Sequence, residues 1–144
     1  KAGFRIIFTQ DWHPLDHSSF VDNGGGWKPH CIIDTIGAAL HAGLHRPKDA
    51  VNIRLGVEPE LDGYTPFENP LMDTLINNPK VKRVYVTGIA LEYCVYATCK
   101  HARERNKDVI AVESLIRAAS PPDAEKVWKK LKQLGVKREK YFKC

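Results

Sequence analysis

The chain contains 144 residues with a mass of 16.3 kDa, which fits one domain. Hydrophobic residues make up 43% and charged residues 27%, a globular balance that argues against intrinsic disorder. No apolar run approaches the roughly 20 residues that cross a bilayer, so no membrane partner is expected. The first ten residues lack the cleavage site of a signal peptide. Because the chain does not begin with Met, we expect a fragment or a processed form.

The charge excess lies largely near the end of the chain. Lys and Arg number 22 against 17 Asp and Glu, a formal net charge of +5. An excess of this sign favours nucleic acid or an acidic surface. However, Glu125 and Glu139 interrupt the basic run, and no nucleic-acid-binding motif accompanies it. The pattern therefore predicts a solvated helix face, and we expect no nucleic-acid partner.

The cysteines are few and scattered, and none forms a C-x-x-C pair. This pattern does not match a secreted disulfide scaffold and is typical of a reducing compartment. We therefore expect a cytoplasmic protein, with the nucleus as the other location, in which one thiol is reactive and the rest are buried or idle. The cysteines are Cys31, Cys94, Cys99 and Cys144.

Strand and helix patterns alternate along the chain. Apolar runs rich in β-branched and aromatic residues predict strands at 3–9, 50–55, 81–89, 108–113 and 136–142. Helical patterns, with Pro and Gly at their ends, cover 35–44, 71–78, 92–106 and 120–134. Polar segments rich in Pro and Gly predict loops at 10–34 and 58–70, and loops of that length are usually functional. The order predicts a three-layer α/β/α domain over residues 1–144 with a mainly parallel sheet.

Ligands of such sheets bind beyond the carboxyl ends of the strands, and the first candidate site follows the first strand. Asp11 and His13 are two apart in an extended segment, so their side chains project to the same side. His17 follows, and His30 returns from the long loop. One carboxylate with up to three imidazoles suits a divalent transition metal, whereas any single histidine here could instead cap a turn.

The second candidate site is the junction of the third strand and its helix. Cys94 lies near the predicted helix N-terminus, where backbone N–H groups and the helix dipole stabilise a thiolate and could hold an oxyanion. The alternative is an inert buried thiol. A third, weaker signal comes from Gly56, which permits close backbone approach, and from Tyr64, which could line a flat pocket.

Four segments together resemble, in order, the motifs of nicotinamidases, which belong to the isochorismatase-like cysteine hydrolases. They are 9–14 (TQDWHP), 27–31 (WKPHC), 64–67 (YTPF) and 88–95 (GIALEYCV). The resemblance covers nearly the whole chain, and the run 90–95 looks more like the eukaryotic, yeast-type members. It implies an isochorismatase-like fold and the hydrolysis of nicotinamide to nicotinate and ammonia. A homo-oligomer is one further expectation.

The resemblance also implies roles for individual residues. Cys94 matches the nucleophile that forms a thioester, and the Ile89–Ala90 bond matches a cis peptide that orients an oxyanion hole with the Cys94 N–H. One divalent ion, zinc first and iron or manganese as alternatives, binds the pyridine nitrogen. The matched metal ligands are Asp11, His13 and His30, with His17 as a fourth ligand or near-ligand, and the matched substrate-binding positions are Trp27, Tyr64, Ile89 and Tyr93.

Two features depart from the family pattern. Leu55 stands where the family has a lysine directly before the glycine, and Arg54 is expected to face away from it because side chains alternate along a strand. No residue here matches the aspartate that ends the family's N-terminal first strand, so we expect that strand to be missing. The alternative function is therefore an impaired or inactive relative that binds a small aromatic amide. A different amide or carbamoyl hydrolase of the superfamily is a further alternative.

Overall fold

A computed structural model describes residues 3–142. The chain divides into two compact units, one ending at Asn69 and the other beginning at Pro70. Each unit contains parallel strands, so the predicted α/β class is confirmed. The single domain expected over residues 1–144 stays a prediction.

The first unit contains a two-stranded parallel sheet. Its strands are β1 (Ile7–Asp11) and β2 (Val51–Leu55). Ile53 and Leu55 are buried whereas Asn52 and Arg54 are exposed, as the alternation of side chains along a strand requires. Short 3-10 helices lie at Val21–Asn23 and Pro66–Glu68.

The helix predicted at 35–44 is wrong, because the segment forms separate turns. The Ala38 N–H donates to the Thr35 carbonyl at 3.1 Å and the Ala39 N–H donates to the Ile36 carbonyl at 3.2 Å, both i to i+3 contacts rather than the i to i+4 bonds of an α-helix. The Gln10 side chain donates to the Ala38 carbonyl at 2.7 Å, an acceptor that a continuous helix would have used for a main-chain bond. Gly37 and Gly43 lower the helix propensity of the same segment.

The second unit contains a three-stranded parallel sheet with strand order β3-β4-β5. Its largest buried side chains come from both the strands and the helices, including Val109, Val112, Leu131 and Cys99. The elements in chain order are α1 (Pro70–Ile76), β3 (Arg83–Ile89), a π-helical turn (Leu91–Val95), α2 (Tyr96–Glu104), β4 (Asp108–Arg117), a 3-10 turn (Pro121–Asp123), α3 (Ala124–Gln133) and β5 (Lys137–Glu139).

The lysines of α3 form a solvent-exposed face, as the charge pattern predicts. Val127, Trp128 and Leu131 are the buried face of this helix, and the positions between them carry the lysines. Arg138 pairs with Glu113 at 2.7 Å and with Glu125 at 2.9 Å. Part of the basic charge is therefore compensated locally.

The strand bounds differ most from the expected ones at β1, β4 and β5. β1 covers Ile7–Asp11 rather than 3–9. β4 extends to Arg117 because it pairs again with the end of β3 after a register shift between Val86 and Gly88. β5 is only three residues long. No helix within residues 3–142 is long and apolar enough to cross a membrane.

Candidate metal centre and candidate nucleophile

Three of the four predicted metal ligands come together in the first unit. Asp11, His13 and His30 each offer one ligand atom, and these atoms all lie within 4.8 Å of one another. We call this group the Asp–His cluster. His13 is buried, whereas Asp11 and His30 are partly exposed, so the cluster has an open side.

The backbone explains how His30 reaches the other two residues. Asp11 is the last residue of β1, and His13 follows at the spacing that returns to the same side of an extended segment. The His13 N–H donates to the Cys31 carbonyl at 2.9 Å, and the Ile33 N–H donates to the His13 carbonyl at 2.9 Å. This short parallel bridge between the two segments holds His30 beside the end of β1.

Both histidines of the cluster are oriented by backbone carbonyls. His13 Nδ1 lies 3.1 Å from the Gly56 carbonyl oxygen, and His30 Nδ1 lies 2.8 Å from the Lys28 carbonyl oxygen. A carbonyl can only accept, so each Nδ1 carries the ring proton and each Nε2 offers its lone pair. This tautomer and its carbonyl partner are the usual arrangement around metal-binding histidines.

His17 lies next to the cluster but outside it. Its ring centroid is 4.5 Å from that of His13. His17 Nδ1 accepts the Ser19 backbone N–H at 3.2 Å, which places the proton of the neutral ring on Nε2, an atom that is buried and has no hydrogen-bond partner in the described structure. Burial lowers the pKa of His17, His13 lowers it further, and the Leu61 backbone partly offsets both effects. A role as fourth ligand stays a prediction.

The donor set of the cluster fits a divalent metal ion. Burial raises the pKa of Asp11, while the neighbouring His13, His30 and His17 lower it less strongly. A carboxylate in such surroundings lacks a compensating positive charge, which an ion supplies. Two neutral imidazoles and one carboxylate suit zinc, iron or manganese.

Gly56 and Gly63 form the wall against which His13 lies. Both have positive φ values, +58° and +72°, which favour glycine. A Cβ on Gly56 would overlap His13 Nδ1, and a Cβ on Gly63 would lie 2.7 Å from the Gly56 Cα. The predicted close backbone approach at Gly56 is therefore present, and its target is a ring of the cluster.

We expect Gly56→Ala to weaken zinc binding by at least about tenfold, because the added methyl group displaces the His13 ring from its carbonyl partner. A competition titration with a chromophoric chelator measures this affinity. Gly24→Ala is the matched control, since Gly24 also has a positive φ of +92° but nothing within 4 Å of its Cβ position. Equal affinities of the two variants would contradict the expectation.

Two predicted pocket aromatics meet near the cluster. The Trp27 indole N–H donates to the Tyr64 hydroxyl at 2.7 Å, and the Trp27 ring centroid lies 6.0 Å from that of His30. Both aromatics are partly exposed. The first unit therefore places two flat side chains close to the Asp–His cluster.

Leu55 is buried at the end of β2. Its side chain is 3% exposed, and it is the strand partner of Asp11. Arg54 is on the other face of the strand, as predicted, and its guanidinium carbon lies 3.8 Å from the Trp12 ring centroid. An apolar side chain thus occupies the position at which the resemblance implies a lysine.

In the second unit, Cys94 lies where the sequence predicts it. It is the fourth residue of the turn Leu91–Val95, which leads directly into α2. The Ile89–Ala90 peptide bond before this turn is cis. Ile89 is 73% exposed, whereas Ala90, Tyr93 and Cys94 are intermediate in exposure, so Cys94 is accessible from one side.

The other described thiols are less suited to act as nucleophiles. Cys99 is fully buried, and burial raises its pKa to about 12. Burial also raises the pKa of Cys31, and the nearby Asp11 adds to that effect. A thiol with a raised pKa carries little thiolate at neutral pH. These properties agree with the expectation of one reactive cysteine.

Glu92 anchors the turn that carries Cys94. Its two carboxylate oxygens accept the backbone N–H groups of Ala119 and Ser120 at 2.9 and 2.7 Å. Burial raises the pKa of Glu92, but the two N–H bonds outweigh it and hold the pKa below its ordinary value. The turn is therefore tied to the segment that follows β4.

Glu92→Gln should lower the free energy of unfolding at pH 7 by about 1–2 kcal/mol, because a neutral amide accepts only one of the two bonds well. The lowered pKa makes this contribution fully present above pH 4.5, and it is lost as the pH falls through the folded-state value. Denaturant unfolding should therefore show a difference in the free energy of unfolding between variant and wild type that is smaller at pH 3 than at pH 7.

Glu104→Gln is the control for this measurement, since Glu104 makes only an exposed 3.9 Å pair with Lys100. We expect it to change the free energy of unfolding by less than about 0.5 kcal/mol. If Glu92→Gln lowers the free energy of unfolding by the same amount at both pH values, the role assigned to the carboxylate is contradicted.

Three kinds of contact at these sites were not predicted from the sequence. They are the carbonyl partners of the two cluster histidines, the Glu92 anchor, and the stack of Arg54 on Trp12. Each joins residues that are not adjacent, and only Gly56 left a signal, since a glycine after a strand indicates close approach.

The isochorismatase domain family matches residues 1–138, and the chain belongs to this family. Within it, the chain is similar to nicotinamidases and pyrazinamidases. The nicotinamidase of Escherichia coli (strain K12) is 26% identical over 158 residues, covering 94% of this chain and 74% of that protein.

Two solved structures are also similar to this chain. The pyrazinamidase of Pyrococcus horikoshii in complex with zinc superimposes with a TM-score of 0.89 at 36% identity, covering 97% of this chain and 76% of the other. PnC1 from L. infantum in complex with nicotinate gives a TM-score of 0.87 at 37% identity, with coverages of 93% and 70%. These likenesses confirm the isochorismatase-like fold, whereas the yeast-type character of the run 90–95 stays a prediction.

Proposed function

We propose that the protein is a metal-dependent cysteine amidohydrolase that converts nicotinamide to nicotinate and ammonia in NAD salvage. The observation that carries the proposal is the Asp–His cluster, in which two histidines already hold the tautomer that a metal requires. The similarity to nicotinamidases supports the substrate. The nicotinate complex of the L. infantum relative supports the product.

In this proposal Cys94 is the nucleophile. Its thiolate attacks the amide carbon, a C–S bond forms, and the carbonyl electron pair moves to oxygen. Backbone N–H groups of the turn, including that of Cys94, stabilise this oxyanion. Collapse breaks the C–N bond, and the nitrogen takes a proton and leaves as ammonia. Water then attacks the thioester, which releases nicotinate and restores the thiol.

The remaining site residues bind and orient the substrate. Asp11, His13 and His30 would hold one divalent ion, with zinc the first choice because the P. horikoshii relative contains zinc. When bound, the ion supplies a Lewis acid that a pyridine nitrogen can ligate. Trp27 and Tyr64, which are joined by a hydrogen bond, would line the ring. The resemblance to nicotinamidases assigns Ile89, Ala90 and Tyr93 to substrate binding as well.

The comparisons do not favour the alternative of an inactive relative, since the curated relatives are nicotinamidases. Leu55 nevertheless stands where the resemblance implies a lysine, so the positive charge of that lysine is absent from this position. A homo-oligomer stays a prediction, as does a cytoplasmic or nuclear location.

The proposal is tested by loading the protein separately with zinc, iron(II) and manganese(II) and incubating it with nicotinamide. Nicotinate measured by chromatography should equal ammonia measured by a coupled assay. Benzamide, which lacks the ring nitrogen, should react more slowly because it cannot ligate the ion. Absence of product with every metal would contradict the proposed activity.

A further inference from the structure

Trp12 lies in the chain between two members of the Asp–His cluster. Side chains alternate along an extended segment, so Asp11 and His13 project to one face and Trp12 projects to the other. The Trp12 N–H donates to the Leu55 carbonyl at 2.9 Å, which continues the hydrogen bonding of β1 with β2 by one residue. The orientation of the Trp12 ring is thus coupled to the backbone that carries both metal-binding side chains.

Arg54 reaches this ring from the neighbouring strand. Arg54 is the strand partner of Gln10, which puts it in diagonal range of Trp12 on the same face. Its guanidinium carbon lies 3.8 Å from the Trp12 ring centroid, well within the distance of a cation–π contact. The two side chains therefore stack against each other on the face opposite the cluster.

Arg54 has no competing partner that would explain its position. Among residues 3–142, no hydrogen bond or ion pair holds its guanidinium group. It lines an open groove of about 400 Å³, together with Trp12, Asn52 and Arg46. The contact of the Arg54 guanidinium group is therefore the stack on Trp12, and this stack restricts the rotation of the Trp12 ring.

We infer that Arg54 is a positioning residue for the metal centre. By stacking on Trp12, it fixes the twist of the segment 11–13 and so the direction in which Asp11 and His13 face the ion. The same segment is held by backbone bonds at Leu55 and Cys31, but neither of these bonds holds the Trp12 ring itself. This inference rests on the metal centre proposed above.

The test is the zinc affinity of the metal-free protein, measured by competition with a chromophoric chelator. Arg54→Met keeps the length of the side chain but removes the cation, and we expect it to weaken zinc binding about tenfold, as loss of a ligand-orienting contact does. Arg54→Lys should recover part of the affinity, since an ammonium group also binds a ring face. Arg46→Met, in the same groove, should leave the affinity unchanged.

A second variant guards against a general loss of structure. Trp12→Leu should weaken zinc binding as much as Arg54→Met, and the double variant should be no worse than either one, because both changes remove the same contact. Thermal unfolding of the metal-free proteins identifies any variant that does not fold, and Arg54→Gln, which also lacks the cation, then replaces Arg54→Met in the cycle.

The outcomes separate the two proposals. If wild-type protein binds zinc and Arg54→Met, or Arg54→Gln in its place, binds it equally well, Arg54 has no positioning role and the proposed function stands. Additive losses in the double variant would likewise overturn the inference. If wild-type protein binds no divalent ion, the metal centre itself is refuted.

Discussion

Cys94→Ala is expected to lower kcat for nicotinamide hydrolysis by at least about a thousandfold, the scale of losing a catalytic nucleophile. Alanine removes the sulfur that forms the thioester in the proposed mechanism, and burial raises the pKa of Cys31 and Cys99, the other cysteines within residues 3–142. Cys94 is partly exposed at the head of α2, whereas Cys99 is fully buried. Ammonia release by the metal-loaded protein measures the effect.

Cys99→Ala is the matched control for this experiment. The substitution removes a thiol of the same helical region whose pKa is raised to about 12, so it should cost stability, on the order of 1 kcal/mol, but little activity. Turnover that survives Cys94→Ala would contradict the proposed nucleophile even if the metal is essential.

Asp11→Asn is expected to weaken zinc binding by at least about a hundredfold, because even changes to groups that only orient metal ligands cost 10–100-fold. The substitution keeps the shape of the side chain but removes the only negative charge of the Asp–His cluster. Ammonia release should fall in parallel, and removing the metal from wild-type protein with a chelator should have the same effect. Metal content after dialysis and a competition titration give the two affinities.

His45→Ala is the control for the cluster, since His45 is an exposed histidine of the same unit that lies outside the cluster. It should bind zinc like wild type. Full metal content in Asp11→Asn would show that the ion binds elsewhere.

The fold was predictable where hydrophobic patterns coincide with real burial. The runs 50–55 and 81–89 became β2 and β3 with shifts of two residues or fewer at their ends. The segment 35–44 is not a helix although its pattern predicts one. The Gln10 side chain binds the Ala38 carbonyl, and the pattern of a single segment does not contain such a long-range bond. The final strand is shorter than the predicted range 136–142, since only three of its residues pair with β4.

The candidate sites were predictable in composition but not in detail. The sequence indicated Asp11, His13 and His30 as metal ligands, and the structure brings a ligand atom of each within 4.8 Å of the others. Spacing could not separate His17 from the other histidines, because the contacts of its Nδ1 with Ser19 are seen only in the folded chain. Nor could it identify Glu92 as an anchor, since its partners lie 27 and 28 residues away.

The carbonyl partners of His13 and His30 have a consequence for how the protein is handled. Because both ring protons already point away from the cluster, neither ring has to change its tautomer when a cation binds. The donors of this site are also ones that several first-row ions accept. We therefore expect the site to bind whichever of these ions the growth medium supplies. The metal content of protein isolated from cells would then report availability rather than preference.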